Sequence, residues 1–223
     1  IIGSMMILVP GLIFTNALRD MIYGDINSGI NKCVQVLLIA GAMALGSAAA
    51  RNLTIRLWGT PQITEAVRYG IPMLCLAALL GCVGFSILFN IHGPGMLLCA
   101  LGGIAAYAVY EGMVRLGFPS ETGIFVGTTF SALYAEIMAR VRKYPTICYL
   151  VVSIIPLIPG ASLYHTMRLA ADGAMDRFAA QGFFTAEETG IMAASIILVS
   201  SLVKIYMGWK QLRKGPRPAS KIR

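Results

Sequence analysis

Arg19 and Arg168 are the side chains whose type and spacing best suit the binding of a carboxylate. Each follows a Pro-Gly pair by eight residues, in two copies of one motif that lie 149 residues apart. A guanidinium is a planar fork of donors that pairs bidentately with a carboxylate, so two forks brought together would hold a dicarboxylate or an amino acid's carboxylate. The alternative left open is that both arginines anchor segment ends at lipid headgroups.

The motif around these arginines is a Pro-Gly break inside an apolar stretch. Ser, Leu, Pro, Gly, Arg and Gly recur at identical offsets in the two copies, 4–24 and 153–173. Proline removes a donor and disfavours helix at the preceding residue, and lipid tolerates such a break only where protein or a water-filled cavity satisfies it. A duplicated break is typical of a transporter built from two related halves, although unrelated helix ends could share this punctuation.

We therefore predict that the two copies form a substrate site. Half-helix ends present amide donors to anions and carbonyl groups to cations. The predicted residues are the breaks and the polar side chains that follow them at matching offsets: Pro10, Gly11, Asn16, Arg19, Pro159, Gly160, His165 and Arg168.

Glu136 is the most interesting acid, because it lies near the end of an otherwise uncharged span. A carboxylate there can load and release a proton and so couple transport to a proton gradient. An i,i+4 salt bridge with Arg140 fits the same spacing, and we rank it slightly ahead. Asp20 and Asp25 are further proton-coupling candidates, with neutralisation of Arg19 as their alternative role.

Glu187 and Glu188 are expected at the N-terminus of the last membrane helix. Acidic side chains are favourable there, and Thr185 stands where a helix cap would lie.

These side chains must be positioned by membrane helices. Hydrophobic residues make up 57% of the 223-residue chain and charged residues 13%, against about 25% charged in soluble domains; the mean hydropathy is +0.74. Apolar stretches predict an all-α polytopic bundle of about seven transmembrane segments with Pro-Gly-broken helices. The segments are 1–18, 30–50, 70–89, 95–112, 121–139, 145–164 and 188–208.

The fourth segment, 95–112, sets the relative orientation of the two copies. If it crosses the bilayer, the copies face opposite ways, as in an inverted-repeat transporter; if it dips and returns, they run parallel. The basic residues from Lys204 onwards predict a cytoplasmic C-terminus. With that orientation, Arg51, Arg56 and Arg68 lie on the cytoplasmic side only if the segment dips, so the positive-inside rule favours the dip. Its apolar length favours a span, and we choose the span.

Several classes of protein are disfavoured. Much of the net charge of +8 is in the tail and no aromatic-basic interleaving accompanies it, so we expect no nucleic-acid partner. The five cysteines and two histidines show no metal-ligand spacing. The sequence contains no nucleotide-binding or catalytic pattern, so we expect neither an enzyme nor a cofactor.

Several motifs coincide with those of a known transporter family. They are Gly117-Phe118-Pro119, the stretch from Phe125-Val126-Gly127 to Ala135–Arg140, Pro145, and Ile155–Gly160 with Tyr164. On these motifs residues 70–213 resemble the smaller, C-terminal module of the threonine/serine exporter family, whose relatives include a two-subunit bacterial succinate exporter. Residues 1–58 resemble the end of its larger module, through Pro10-Gly11, Thr15-Asn16, Arg19-Asp20 and Gly24-Asp25.

The resemblance implies a domain organisation and adds a site residue. The regions are 1–58, the end of the larger module with about two segments; 59–69, a connector; 70–213, the smaller module with about five segments; and 214–223, a basic cytoplasmic tail. Tyr164 joins the predicted substrate site. Because the chain begins inside the larger module, we expect it to be half of an inverted-repeat transporter.

The expected function is secondary export of a small carboxylate-bearing metabolite across a bacterial inner membrane. The resemblance implies serine or threonine, or a dicarboxylate such as succinate, with proton coupling. The expected partners are this substrate, the lipid bilayer, and either further copies of the chain or the missing half of the transporter. The alternative is a non-transporting scaffold or accessory subunit that requires a partner.

Overall fold

The computed structural model describes residues 10–59 and 70–212, which form a helical bundle, so the predicted fold class is confirmed. Three predicted regions lie outside the described residues: the start of the first segment (1–9), most of the connector (60–69) and the tail (214–223). The helices are α1 (Gly11–Ile22), α2 (Ile26–Trp58), α3 (Ile71–Leu88), α4 (Pro94–Arg115), α5 (Ser120–Arg142), α6 (Thr146–Ser153), α7 (Gly160–Ala171) and α8 (Met175–Leu212), with a 3-10 helix at Ile155–Leu157.

Five helices of the described residues are long and apolar enough to cross a bilayer, namely α2, α3, α4, α5 and α8. The pair made by α6, with its 3-10 extension, and α7 passes the same test with a bend of 54°, and would form a sixth, broken span. The predicted segment 1–18 is described only from residue 10. Large apolar side chains such as Leu38, Leu80 and Leu202 point outwards, as expected of a surface that faces acyl chains.

Helix α4 has the length and composition that the spanning alternative for the fourth segment requires. A re-entrant dip needs two short arms, whereas α4 is one helix of 22 residues. Its length is about 33 Å, enough to cross a hydrocarbon core of about 30 Å. Pro94 occupies its first turn, where the missing amide would have had no helical acceptor. The structure therefore agrees with the spanning alternative.

The last segment differs most from its predicted bounds. It was expected to begin at residue 188, but α8 begins at Met175 and runs for 38 residues. Thr185 is therefore not a helix cap. Its hydroxyl donates to the Gln181 carbonyl at 2.8 Å and lies 3.0 Å from the Thr166 hydroxyl of α7. The polar stretch 175–187, which the sequence suggested was a connector, is therefore helical, and its packing against α7 stabilises it.

Small residues let the helices approach closely. Helices α3, α4, α5, α6 and α8 share one apolar core. A Cβ on Gly103 of α4 would collide with the Cys82 sulfur of α3. The hydroxyls of Ser131 in α5 and Ser153 in α6 lie 2.7 Å apart. Close backbone approach and hydrogen bonds between hydroxyl groups are usual means of helix association in a bilayer. Here they hold α3 against α4, and α5 against α6 of the broken span.

Candidate functional site

The described parts of the two copies, from Pro10 and from Pro159 onwards, fold into equivalent short helices, here called half-helices. Helices α1 and α7 are each 12 residues long and each begins at the glycine of a Pro-Gly pair. Pro10 has φ −80° and ψ 38°, and Pro159 has φ −76° and ψ 50°. Each half-helix is followed by a glycine in the left-handed region, Gly24 at φ 93° and Gly173 at φ 76°. The offset of 149 residues therefore relates backbone conformations as well as sequence.

The two Pro-Gly breaks lie against each other. Gly11 and Gly160 are both buried. A Cβ built on Gly11 would lie 3.5 Å from the Gly160 Cα and would collide with Cγ2 of Ile158. The distance to the Gly160 Cα is an ordinary van der Waals contact, so the Ile158 side chain is what leaves no room for a Cβ on Gly11. The two breaks, which are 149 residues apart in sequence, are therefore in contact in the folded protein.

A cavity of about 260 Å³ opens beside the second break. It is just below the range of about 300–1,000 Å³ typical of drug-sized ligands, which suits a metabolite of few heavy atoms. A cavity of about 330 Å³ beside His92 and Arg142 lies away from the breaks. The wall of the first cavity includes the break at 156–159, Ala161 and Ser162 of α7, Tyr107 and Tyr110 of α4, and Glu188 of α8.

Glu188 is the charged group that faces this cavity. The residue is only 7% exposed, and its Oε2 atom has no hydrogen-bond partner among the described residues. The Ser162 hydroxyl lies next to the carboxyl group. A buried carboxylate is costly unless its oxygens are paired or hydrogen-bonded, and here Oε2 has no such partner among the described residues.

The N-terminus of α7 forms a second polar element of the cavity. Within the described chain no side chain caps this helix, and the first-turn residues Ala161 and Ser162 line the wall. First-turn amides have no acceptor inside their own helix, and the helix dipole makes that end favourable for anions. The cavity therefore offers a negative side chain and a positive helix end a short distance apart.

Two family models match the chain. The model described as Threonine/Serine exporter, ThrE matches residues 74–202, more than half of the chain, and the model described as Putative threonine/serine exporter matches residues 1–54. The chain belongs to the threonine/serine exporter family. The predicted family is therefore confirmed, and it is a family of transporters. No curated protein and no solved structure matches the chain.

Each model covers one copy of the exporter motif. The first break and α1 lie in residues 1–54, and the second break and α7 lie in residues 74–202. The contact between Gly11 and Gly160 therefore joins the parts of the exporter chain that the two models match separately.

The two arginines of the exporter motif lie at the far ends of the half-helices. Eight residues of helix separate each from its glycine, a distance of about 12 Å. The Arg19 guanidinium lies 5.6 Å from the centre of the Tyr23 ring, and Arg168 Nε lies 3.6 Å from Asp172. Among the described residues neither arginine lines the cavity beside the break.

The other predicted side chains also lie outside the cavity wall. Tyr164 is buried, and its hydroxyl donates to Ser47 of α2 at 2.9 Å, so it ties a half-helix to a long helix. His165 is exposed and meets Tyr164 edge-on, and Asn16 is half-buried. Of the predicted set, Pro159 lines the cavity directly, and Gly11 lies against Gly160 and against Ile158 of the cavity wall.

The three predicted proton-coupling acids each have a local partner. Arg140 donates to Glu136 at 2.6 Å, in the i,i+4 geometry of the salt-bridge interpretation. Lys32 and the Ser28 hydroxyl donate to Asp20. Asp25 caps α2 by accepting the Ser28 amide at 3.2 Å. Asp20 therefore pairs with Lys32, and the expected neutralisation of Arg19 is at most a secondary role.

Glu188 is the residue that sequence reasoning missed. Starting the last segment at residue 188 put this side chain at an exposed helix end. The spacing of the residues could have revealed it, because Thr185, Glu188, Thr189 and Met192 recur every three or four residues and so share one face of a helix. In the structure all four are buried. An acid on the buried stripe of a membrane helix indicates a functional site.

Proposed function

We propose that this chain forms part of a secondary exporter that moves a small carboxylate-bearing metabolite, with serine or threonine first, across the inner membrane of a bacterium. The contact between the two Pro-Gly breaks is the observation that carries the proposal. Gly11 meets Gly160 beside a cavity of about 260 Å³. Backbone irregularity at membrane depth is tolerated where it lines a cavity, and transporters bind cargo at such places.

The proposed mechanism is alternating access around the paired breaks. Each half-helix is joined to a long helix by a short turn, α1 to α2 and α7 to α8. With α4 crossing the bilayer and the C-terminus in the cytoplasm, the two hairpins face opposite sides. Motion of one hairpin against the other then opens the cavity first to one side and then to the other.

The arginines would act before the cargo reaches the cavity. Arg19 and Arg168 stand about 12 Å from the breaks, at the ends of the half-helices, where a guanidinium attracts a carboxylate without burial. Asn16, Tyr164 and His165 lie on the same half-helices. In this proposal they shape the approach to the site, and a dicarboxylate such as succinate would be drawn to the same arginines.

Proton coupling is the proposed source of energy. Glu136, Asp20 and Asp25 are the acids proposed to carry the proton, and each would exchange its present partner during the cycle. A carboxylate that alternates between a cation and a proton can link ion flow to a conformational change. The contribution of each acid is measured by the dependence of export on an imposed pH gradient.

Counterflow by the full-length protein in proteoliposomes tests the proposed function. We expect vesicles loaded with unlabelled serine to accumulate labelled serine with saturation, and an imposed pH gradient to accelerate export. Liposomes without protein are the control. An inert full-length protein would contradict the proposal and support the scaffold or accessory-subunit alternative.

A further inference from the structure

The cavity beside the second break carries an acid and lacks a base. Of the residues that line it in the described chain, Glu188 is charged, and none is Lys, Arg or His. Its Oε2 atom is buried without a hydrogen-bond partner there. The carboxyl group of Glu188 would therefore favour a positively charged group in the cavity, and none of the described lining residues supplies one.

The described groups around Glu188 do not supply a positive charge. Among these residues the charged groups that act on it are Glu121 of α5 and Glu187 of α8, and both are acids. Tyr107 and Tyr110 contribute ring faces and hydroxyl groups, and the Tyr110 hydroxyl already lies 3.2 Å from the Ser120 hydroxyl. Two further acids nearby increase the preference for a cation, and aromatic faces attract one as well.

We propose that Glu188 is the counter-ion of the cargo's ammonium group and makes the cavity selective for α-amino acids over dicarboxylates. The inference rests on the proposed export function. The cargo's carboxylate would lie at the N-terminus of α7, against the amides of Ala161 and Ser162, while its ammonium group binds the carboxylate of Glu188. A zwitterion satisfies both polar elements of the cavity at once.

A dicarboxylate fits the same cavity poorly. One of its carboxylates could occupy the α7 terminus, but the other would then lie beside Glu188 with Glu121 and Glu187 close by. Like charges in a site of low dielectric repel strongly. Selectivity therefore follows from the placement of one buried acid, and the distant arginines are not needed for it.

Glu188→Gln tests the assignment, with Asp176→Asn as the matched control. Both residues are acids of α8, but Asp176 is exposed and does not line the cavity. We expect Glu188→Gln to reduce serine counterflow at subsaturating serine by tenfold or more, and Asp176→Asn to change it by less than twofold. The thermal unfolding midpoint of Glu188→Gln should not fall, because the amide removes an unpaired buried charge.

Competition in the wild-type protein gives a test that needs no variant. Glycerate has the carboxylate of serine with a hydroxyl in place of the ammonium group. We expect excess unlabelled serine or threonine to inhibit labelled serine counterflow, and glycerate or succinate at the same concentration to inhibit it at least tenfold less. Inhibition by glycerate equal to that by serine would overturn the proposal.

The other outcomes separate this inference from the proposed function. Wild-type exchange of serine that persists in Glu188→Gln overturns the role of Glu188 and leaves the exporter intact. Retained counterflow with loss of acceleration by the pH gradient would identify Glu188 as a proton carrier instead. Exchange of succinate without serine overturns the selectivity, and an inert wild-type protein overturns the exporter and this inference together.

Discussion

At the scale of single residues, Gly11 is a position where the fold leaves no room for a side chain. We expect Gly11→Ala to reduce the free energy of unfolding by about 1–3 kcal/mol, the usual cost of overpacking, because its methyl group would collide with Cγ2 of Ile158. Ile158→Ala removes the colliding atom. In a double-mutant cycle measured by thermal unfolding in detergent, the double variant should lose less stability than the two single variants added together.

Additive losses in that cycle would show that the two breaks do not touch in the folded protein. Gly46→Ala is a control on α2, because a Cβ there meets nothing within 4 Å. It should leave stability unchanged or raise it slightly, since alanine is a better helix former than glycine.

Asp20 gives a prediction about pH. The Lys32 ammonium group, helped by the Ser28 hydroxyl at 2.9 Å, holds the pKa of Asp20 below its ordinary value of 3.8. A pKa that is lower in the folded state stabilises the fold above the unfolded pKa, and this contribution is lost as the pH falls through the folded pKa. Asp20→Asn should therefore cost at most about 1 kcal/mol at pH 7.

The difference between Asp20→Asn and the wild type should shrink as the pH is lowered below about 4. Unfolding midpoints measured from pH 7 to pH 3 check this. Lys32→Gln should give a similar loss at pH 7 and should add nothing when combined with Asp20→Asn. A loss that stays constant across the pH range would contradict the ion pair.

The residues of the site were only partly predictable from sequence. Pro10, Gly11, Pro159 and Gly160 were predicted because a break leaves a local signal in the sequence itself. Glu188 was missed because its importance depends on a cavity that it shares with residues of α4 and α5, which are distant in sequence. Local spacing did favour the pairing of Glu136 with Arg140, since both partners lie on one helix.

At the scale of elements, the contact between α3 and α4 depends on Gly103. A methyl group there would collide with the Cys82 sulfur, so we expect Gly103→Ala to reduce the free energy of unfolding by about 1–3 kcal/mol. Cys82→Ala removes the sulfur and should recover part of the loss in the double variant. Thermal unfolding in detergent measures both effects.

Gly84→Ala is the matched control for this contact. Gly84 lies on α3, and a Cβ there meets nothing within 4 Å. This variant should be neutral or slightly stabilising. Equal losses for Gly84→Ala and Gly103→Ala would indicate a general intolerance of larger side chains rather than a specific contact with Cys82.

The sequence predicted the elements better in apolar stretches than in polar ones. The bounds of α3 agree within a residue with the predicted 70–89, because an uninterrupted apolar run has clear ends. The start of α8 was placed 13 residues too late, since Gln181, Glu187 and Glu188 resemble a connector when read locally. Packing of α7 against this stretch decides its structure, and that contact is not visible in the local sequence.

At the scale of the whole molecule, duplication was the most informative pattern. Matching offsets predicted that two distant segments share a conformation, and α1 and α7 do so from Pro10 to Gly24 and from Pro159 to Gly173. Which faces of the two segments meet could not be predicted, because that depends on the packing of all the intervening helices. The family was recognisable from the same motifs.

The two hairpins have a mechanical consequence. Helix α2 has 33 residues and α1 has 12, so their lengths are about 50 Å and 18 Å. If the hairpin rotated as a rigid body by about 10° about this turn, the Pro-Gly end of α1 would move by about 3 Å. The far end of α2, at Trp58, would move by about 9 Å. In the proposed mechanism the long helix would thus act as a lever that amplifies a small adjustment around the cargo into a displacement large enough for a spectroscopic label to detect.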